Sequence, residues 1–138
     1  MRISARNQLR GTVTKINEGA VNGIVTLDVN GCAVSATISM DSIKGLGLEV
    51  GKEAIAVIKA TEVMIGLGEM KLSARNKFAG TIKEIKKGAV NAIVTIEACG
   101  GNLLSATISM SAVEELGLEA GKEAVAVIKA TSVMVAVD

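Results

Sequence analysis

The tetrapeptide SARN stands at Ser4–Asn7 and again at Ser73–Asn76, and the residues beyond each copy repeat as well. Residues 4–29 align with 73–98 at an offset of 69, and residues 35–64 with 105–134 at an offset of 70. The change of one residue falls between VNGCAV and ACGGNLL, which reads as a turn, where an insertion costs little. A repeat of this period constrains the fold more than any other feature, because one small supersecondary unit must be used twice. The boundary lies in GLGEMK, at Gly68–Met70, giving units 1–68 and 69–138. A unit of that size buries too little surface to be comfortable alone. The linker is too short to hold two units apart. We therefore expect the halves to pack side by side or share a sheet, and the chain to oligomerise.

Each unit reads as almost entirely β. SARNQLRGTVTKI is a long first strand, with Gly11 as a bulge or bend. NEGAVN is a turn that uses Gly19 and Asn22 for unusual backbone angles. NGIVTLDV is a second strand, and Asn30–Gly31 signals a tight hairpin. AVSATIS alternates with period two and is a third strand. MDSIKGLGL breaks that alternation and predicts one short helix, N-capped by Ser39 and stopped at Gly45 or Gly47. KEAIAVIKA and TEVMIGL are strands four and five. Five strands with a helix between the third and fourth is the order of a small Greek-key barrel of the OB type. The predicted fold is thus all-β: two tandem OB-like five-stranded barrels, each with one short helix. An SH3-like barrel is the alternative, and the helix placement and the lack of aromatic residues on any face count against it.

Several function classes fall away on composition. Histidine is absent, which removes Ser-His and Cys-His nucleophiles and the commonest zinc ligand. The carboxylates sit in solvated runs such as EIKK and VEEL, not as an acid–base pair, so we expect no enzyme. A net charge of +1 gives no long-range pull toward nucleic acid or a membrane, and a single Phe offers little to stack on bases. No apolar run approaches the roughly 20 residues of a membrane span. MRISARNQLR has no apolar core of a signal peptide. Cys32 and Cys99 do not occupy matching places in the two halves, so we read both as reduced, buried thiols of a cytoplasmic protein.

Three repeated motifs remain. In SARN, alternation puts Ser4 and Arg6 on one face, with Ala5 and Asn7 on the other. That face offers a hydroxyl and a guanidinium fork, although an arginine can equally protect an exposed edge strand. In AVIKAT, Lys59 and Lys129 each end an apolar strand. They either snorkel to the surface or complete an anion site with the hydroxyl of Thr61 or Thr131 and the N–H of Ala60 or Ala130. GAVN, at Gly19–Asn22 and Gly88–Asn91, is either a plain turn or a loop that aims backbone N–H groups at an anion. All of these groups are donors, and no carboxylate recurs among them; Glu53 and Glu123 repeat in GKEA but stand solvated at a strand start. Such a set suits a deprotonated oxyanion and suits a metal cation badly.

SARN, GAVNA, SATIS and AVIKATSVMV together resemble the molbindins, the small Mop-type molybdate-binding proteins built on an OB-like barrel. The second half is the cleaner match, the first having Gly23 for Ala and Glu62 for Ser. Covering the chain twice, the resemblance is to the two-unit, di-Mop form. It implies binding of molybdate, and of tungstate, for cytoplasmic molybdenum storage or homeostasis, with no cofactor and with metal held only as the oxyanion. It implies rings of six Mop units, hence a homotrimer, with sites between units. One class of site would combine Ser4, Ala5, Arg6 and Asn7 with Lys129, Ala130 and Thr131, and Ser73, Ala74, Arg75 and Asn76 with Lys59, Ala60 and Thr61. The other would use Gly19, Ala20, Val21 and Asn22 with Gly88, Ala89, Val90 and Asn91. Glu62 would repel a dianion unless it points away. The alternative is a ligand-sensing module related to molybdate transporter or regulator domains. Because the chain begins almost at SARN and carries no Walker-type loop, we expect the free-standing binding protein.

Overall fold

A computed structural model describes residues 1–138. In chain order the first half forms β1 (Asn7–Asn17), β2 (Asn22–Val29), β3 (Cys32–Ser39), α1 (Met40–Gly45), β4 (Glu53–Ile58) and β5 (Met64–Gly66). The second half repeats this as β6 (Asn76–Lys87), β7 (Asn91–Ala98), β8 (Asn102–Ser109), α2 (Met110–Leu116), β9 (Glu123–Ile128) and β10 (Met134–Ala136). The all-β reading with one short helix per half therefore holds. Period-two alternation decides which side chains go inside: β2 buries Gly23, Val25, Leu27 and Val29, and β1 buries Leu9 and Val13. Each helix is capped as predicted. Ser39 Oγ accepts from Ser42 N at 3.0 Å, and Ser109 Oγ from Ala112 N at 3.1 Å. Gly47 and Gly117, both with positive φ, turn the chain away after the helices.

Several local expectations are corrected. The first strand starts at Asn7 rather than Ser4, and a 3-10 turn, Ala60–Glu62, shortens the fifth. The bulge is not at Gly11. The β1–β2 register shifts between Val13 and Lys15, and the β6–β7 register between Ile82 and Glu84. Gly11 is required because a methyl there would run into the Asp28 carbonyl and come within 2.9 Å of Val29 Cγ2. Neither Gly19 nor Asn22 has positive φ. The left-handed angles lie at Asn30 and Gly31, φ 49° and 91°, as a two-residue hairpin needs. The second half has three such residues, Cys99, Gly100 and Gly101, so the extra residue lengthens this turn. The Gly23 departure also has a cause. A methyl at Gly23 would lie 2.6 Å from Ile43 Cδ1, whereas the second half pairs Ala92 with the smaller Val113. The same volume is filled from opposite sides.

The halves are not separate barrels side by side. Strand order is β10-β4-β1-β2-β3 in one curled sheet and β5-β9-β6-β7-β8 in the other. Each half thus lends its last short strand to the other, with Met134 opposite Val57 and Met64 opposite Val127. One apolar cluster of 29 buried residues draws on both halves, so the core is continuous across the seam.

Cys32 and Cys99 are joined in a disulfide, against the expectation of reduced thiols. Their mismatched places in the repeat are compatible with a bridge across a two-fold arrangement, in which position i of one half meets position j of the other away from the axis. By the repeat offsets Cys99 stands where the first half has Asn30, and Cys32 where the second half has Asn102. The two hairpin turns meet at the seam, where a methyl on Gly100 would fall 2.7 Å from Asn30 Cβ.

Candidate functional site

The two SARN segments enter β1 and β6, and their alternation holds: Ser4 and Arg6 are exposed, while Ala5 and Asn7 are buried. Ala5 packs with Ile55, Val57 and Ala136 on the outer face of the sheet. Asn7 and Asn76 are each only 1% exposed, the only polar residues buried that deeply. Asn7 Nδ2 donates to Ser105 O at 2.8 Å, and its Oδ1 accepts from Ser105 N at 2.7 Å. Asn76 does the same with Ser35 of β3, both bonds 2.8 Å long. A primary amide matches the donor and acceptor of one peptide group, so each asparagine closes a backbone-like pair across the seam. Each asparagine, which the resemblance places among the ligand groups, thus holds the seam between the halves.

The exposed members of SARN line two clefts. One, of about 290 Å³, is bounded by Ser4, Ala5, Arg6, Lys59, Ala60 and Thr61, with Thr107 of β8 and Met134 of β10 closing it from the other half. The other, of about 230 Å³, is bounded by Ser73, Ala74, Arg75, Lys129, Ala130 and Thr131, with Thr37 of β3 from the other half. Within the single chain the neighbours are those of the same half, whereas the resemblance pairs each SARN segment with the other half's lysine segment across a contact between units. Ser4–Arg6 sits with Lys59–Thr61 of its own half, and Ser73–Arg75 with Lys129–Thr131. The residue that crosses the seam is a threonine, Thr107 or Thr37. Sequence reasoning did not assign either threonine, although both lie in the repeated SATIS, two residues beyond the serine that holds the asparagine clamp.

Each cleft brings together one guanidinium, one ammonium and hydroxyl groups, with no carboxylate in its lining. The remaining two clefts, beside the linker, are lined by Glu69 and, in one of them, Glu123 as well. Glu62, feared as a repelling neighbour, is absent from the lining and accepts from Ser132 Oγ at 3.0 Å. Lys59, Lys129, Arg6 and Arg75 form no ion pair. By contrast Arg10 pairs with Asp138 at 2.8 Å; the hydrogen bond and the charge hold the Asp138 carboxyl below its ordinary range. No group of three or more His, Cys, Asp or Glu side chains is placed to hold a metal ion.

The GAVN segments lie elsewhere, between β1 and β2 and between β6 and β7. Gly19, Ala20, Val21, Asn22, Gly88, Ala89, Val90 and Asn91 line none of the clefts of the single chain. Val21 and Val90 are each 74% exposed, while their carbonyls accept from Met40 N and Met110 N at 2.8 Å.

The TOBE domain family matches residues 3–65 and 72–135. A probable molybdenum-pterin-binding protein of Haemophilus influenzae is 61% identical over 69 residues, which are half of this chain and all of that protein. The molybdenum transport protein ModE of Herbaspirillum seropedicae is 38% identical over 99% of this chain, which spans only 52% of that protein. The crystal structure of the cytoplasmic molybdate-binding protein ModG with molybdate bound superposes with a TM-score of 0.97 at 43% identity, each chain covered in full. The same two tandem OB-like units are thus present in both folds. Matched twice over across nearly its whole length, the chain belongs to the TOBE-domain family and carries two tandem copies of that domain.

Proposed function

We propose that this protein binds molybdate, and tungstate with it, as a cytoplasmic molybdenum-storage or homeostasis protein that performs no chemistry on its ligand. The observation that carries the reading is the pair of donor-only clefts. Each offers Arg and Lys charge with Ser and Thr hydroxyls to a tetrahedral dianion. A partly enclosed surface strengthens each of those charge-assisted bonds. Selection against sulfate, which shares charge and shape, must come from cavity size, whereas phosphate brings a proton that donors cannot satisfy. The names of the relatives and of the structural neighbour point the same way.

We read Ser4, Arg6, Lys59, Thr61 and Thr107 as one set of ligand groups, and Ser73, Arg75, Lys129, Thr131 and Thr37 as the other. The exposed Val21 and Val90 support burial of the GAVN loops in a trimer of six units, where those loops form the second class of site. A second reading, a sensing module of a larger regulator, is favoured by the match to ModE over half of that protein's length.

Calorimetric titration with molybdate in a large excess of sulfate tests the proposal. Binding is expected, to a species of three chains by mass, and the Arg6→Ala, Arg75→Ala double variant should lose two ions per chain while any binding at the GAVN loops persists. Equal affinity for sulfate and molybdate refutes molybdate selectivity, and an unchanged number of bound ions in the double variant refutes the clefts as sites.

A further inference from the structure

Glu62 breaks the repeat. Its counterpart seventy positions on is Ser132, and the two residues meet across the seam, Ser132 Oγ donating to Glu62 Oε2 at 3.0 Å. Each directly follows the last cleft residue of its own half, Thr61 or Thr131. One carboxylate therefore directly follows the lining of one cleft and is hydrogen-bonded to the residue that directly follows the lining of the other. It is half-buried, and no lysine or arginine pairs with it. The cations that would neutralise it, Lys59 and Lys129, are instead held free in the clefts. Two dianions would match the four cations Arg6, Lys59, Arg75 and Lys129. With Glu62 present, the filled pair carries one negative charge in excess.

We propose that Glu62 is a specificity-determining residue that holds down the affinity of both clefts for doubly charged oxyanions. The inference rests on the oxyanion reading of the clefts. Glu62 touches no ligand group directly. It acts through space, and the hydrogen bond from Ser132 keeps its charge at the seam. A charge of this kind penalises a ligand in proportion to the ligand's own charge. It therefore discriminates against dianions relative to monoanions of the same shape, and it keeps a tightly gripped dianion exchangeable. At a separation of roughly 8 Å in water at low ionic strength, one charge in general changes the affinity of a dianion about fivefold and that of a monoanion about twofold.

The test compares molybdate with perrhenate, a tetrahedral monoanion, on the full chain and on Glu62→Gln and Glu62→Ser. Glutamine keeps an acceptor for Ser132, and serine copies the second half. Thermal unfolding shows that the variants fold. Molybdate affinity should rise about fivefold in both variants, and perrhenate affinity by about the square root of that factor. The gain should shrink at high salt. Unchanged molybdate affinity overturns this inference and leaves the oxyanion reading standing. Equal gains for the two anions also overturn it, because the effect would then be one of shape. Failure of the unaltered chain to bind molybdate at all refutes both.

Discussion

Replacing Asn7 by alanine tests whether the SARN asparagine is architecture or ligand. Its amide makes two bonds to Ser105, at 2.8 and 2.7 Å, in a site only 1% exposed. Alanine would leave the half-buried Ser105 N–H and C=O without their partner. At about 1–3 kcal/mol for each orphaned group, the loss is about 2–6 kcal/mol, a large share of a domain's stability. Asn7→Asp sharpens the test. Its carboxylate still accepts from Ser105 N, but it turns an oxygen toward Ser105 O where Nδ2 had donated. Burial and that carbonyl both disfavour the charged form, so the pKa in the folded state is raised above the unfolded value of about 3.9. A raised pKa means the protonated acid, able to donate, stabilises the fold at low pH. That stability is lost as pH rises through the folded pKa. Urea midpoints measured at about pH 5 and about pH 8 should therefore fall for Asn7→Asp and stay level for Asn7→Ala. A loss below about 1 kcal/mol for alanine, or no pH dependence for aspartate, refutes the clamp.

Three further outcomes are expected. Gly11→Ala should lower stability by more than the roughly 1 kcal/mol of an ordinary strand substitution, because its methyl meets the backbone carbonyl of Asp28 on the paired strand; chemical denaturation measures it. Reducing the Cys32–Cys99 bridge, whose ends are 67 residues apart, should cost up to about 4 kcal/mol by freeing the unfolded chain, read as a lower melting temperature with reductant and in Cys32→Ser. Asp138 should titrate below an ordinary aspartate by NMR and return toward it in Arg10→Gln; being depressed, it stabilises above the unfolded pKa and ceases to as pH falls through the folded one.

The fold was legible wherever a local rule suffices. The Asn30–Gly31 hairpin, the Ser39 cap and the alternation of SATIS each depend on a few neighbouring residues, and each is found where expected. The features that could not be read are those that depend on the second half lying against the first. Gly11 looked like a bulge because a glycine in a strand usually marks one, yet its reason is a carbonyl of the neighbouring strand. The exchange of β5 and β10 leaves no local trace, because a three-residue strand pairs equally well with either β4 or β9, whose sequences are nearly identical. The cysteines misled for the same cause. A bridge across the seam does not need matching places in the repeat, because the packed halves bring unlike positions together here just as they bring the like positions Glu62 and Ser132 together.

The recurrence of SARN has its origin in that packing of the halves. Each copy does two jobs on its two faces. Alternation turns Ser4 and Arg6 to a cleft and sends Asn7 into the seam. The seam residue fixes where the cleft lies. Asn7 grips Ser105, and Thr107, two residues along the same strand and on the same face, is thereby set against Arg6 and Lys59. Asn76 and Ser35 place Thr37 in the second cleft in the same way. Loosening the clamp would therefore shift a hydroxyl of the cleft as well as weaken the fold. An identical polar tetrapeptide is what remains when neither its inward nor its outward residues can change alone. For that reason Asn7→Ala should reduce oxyanion affinity even under conditions where the chain stays folded, although the asparagine lines neither cleft of the single chain.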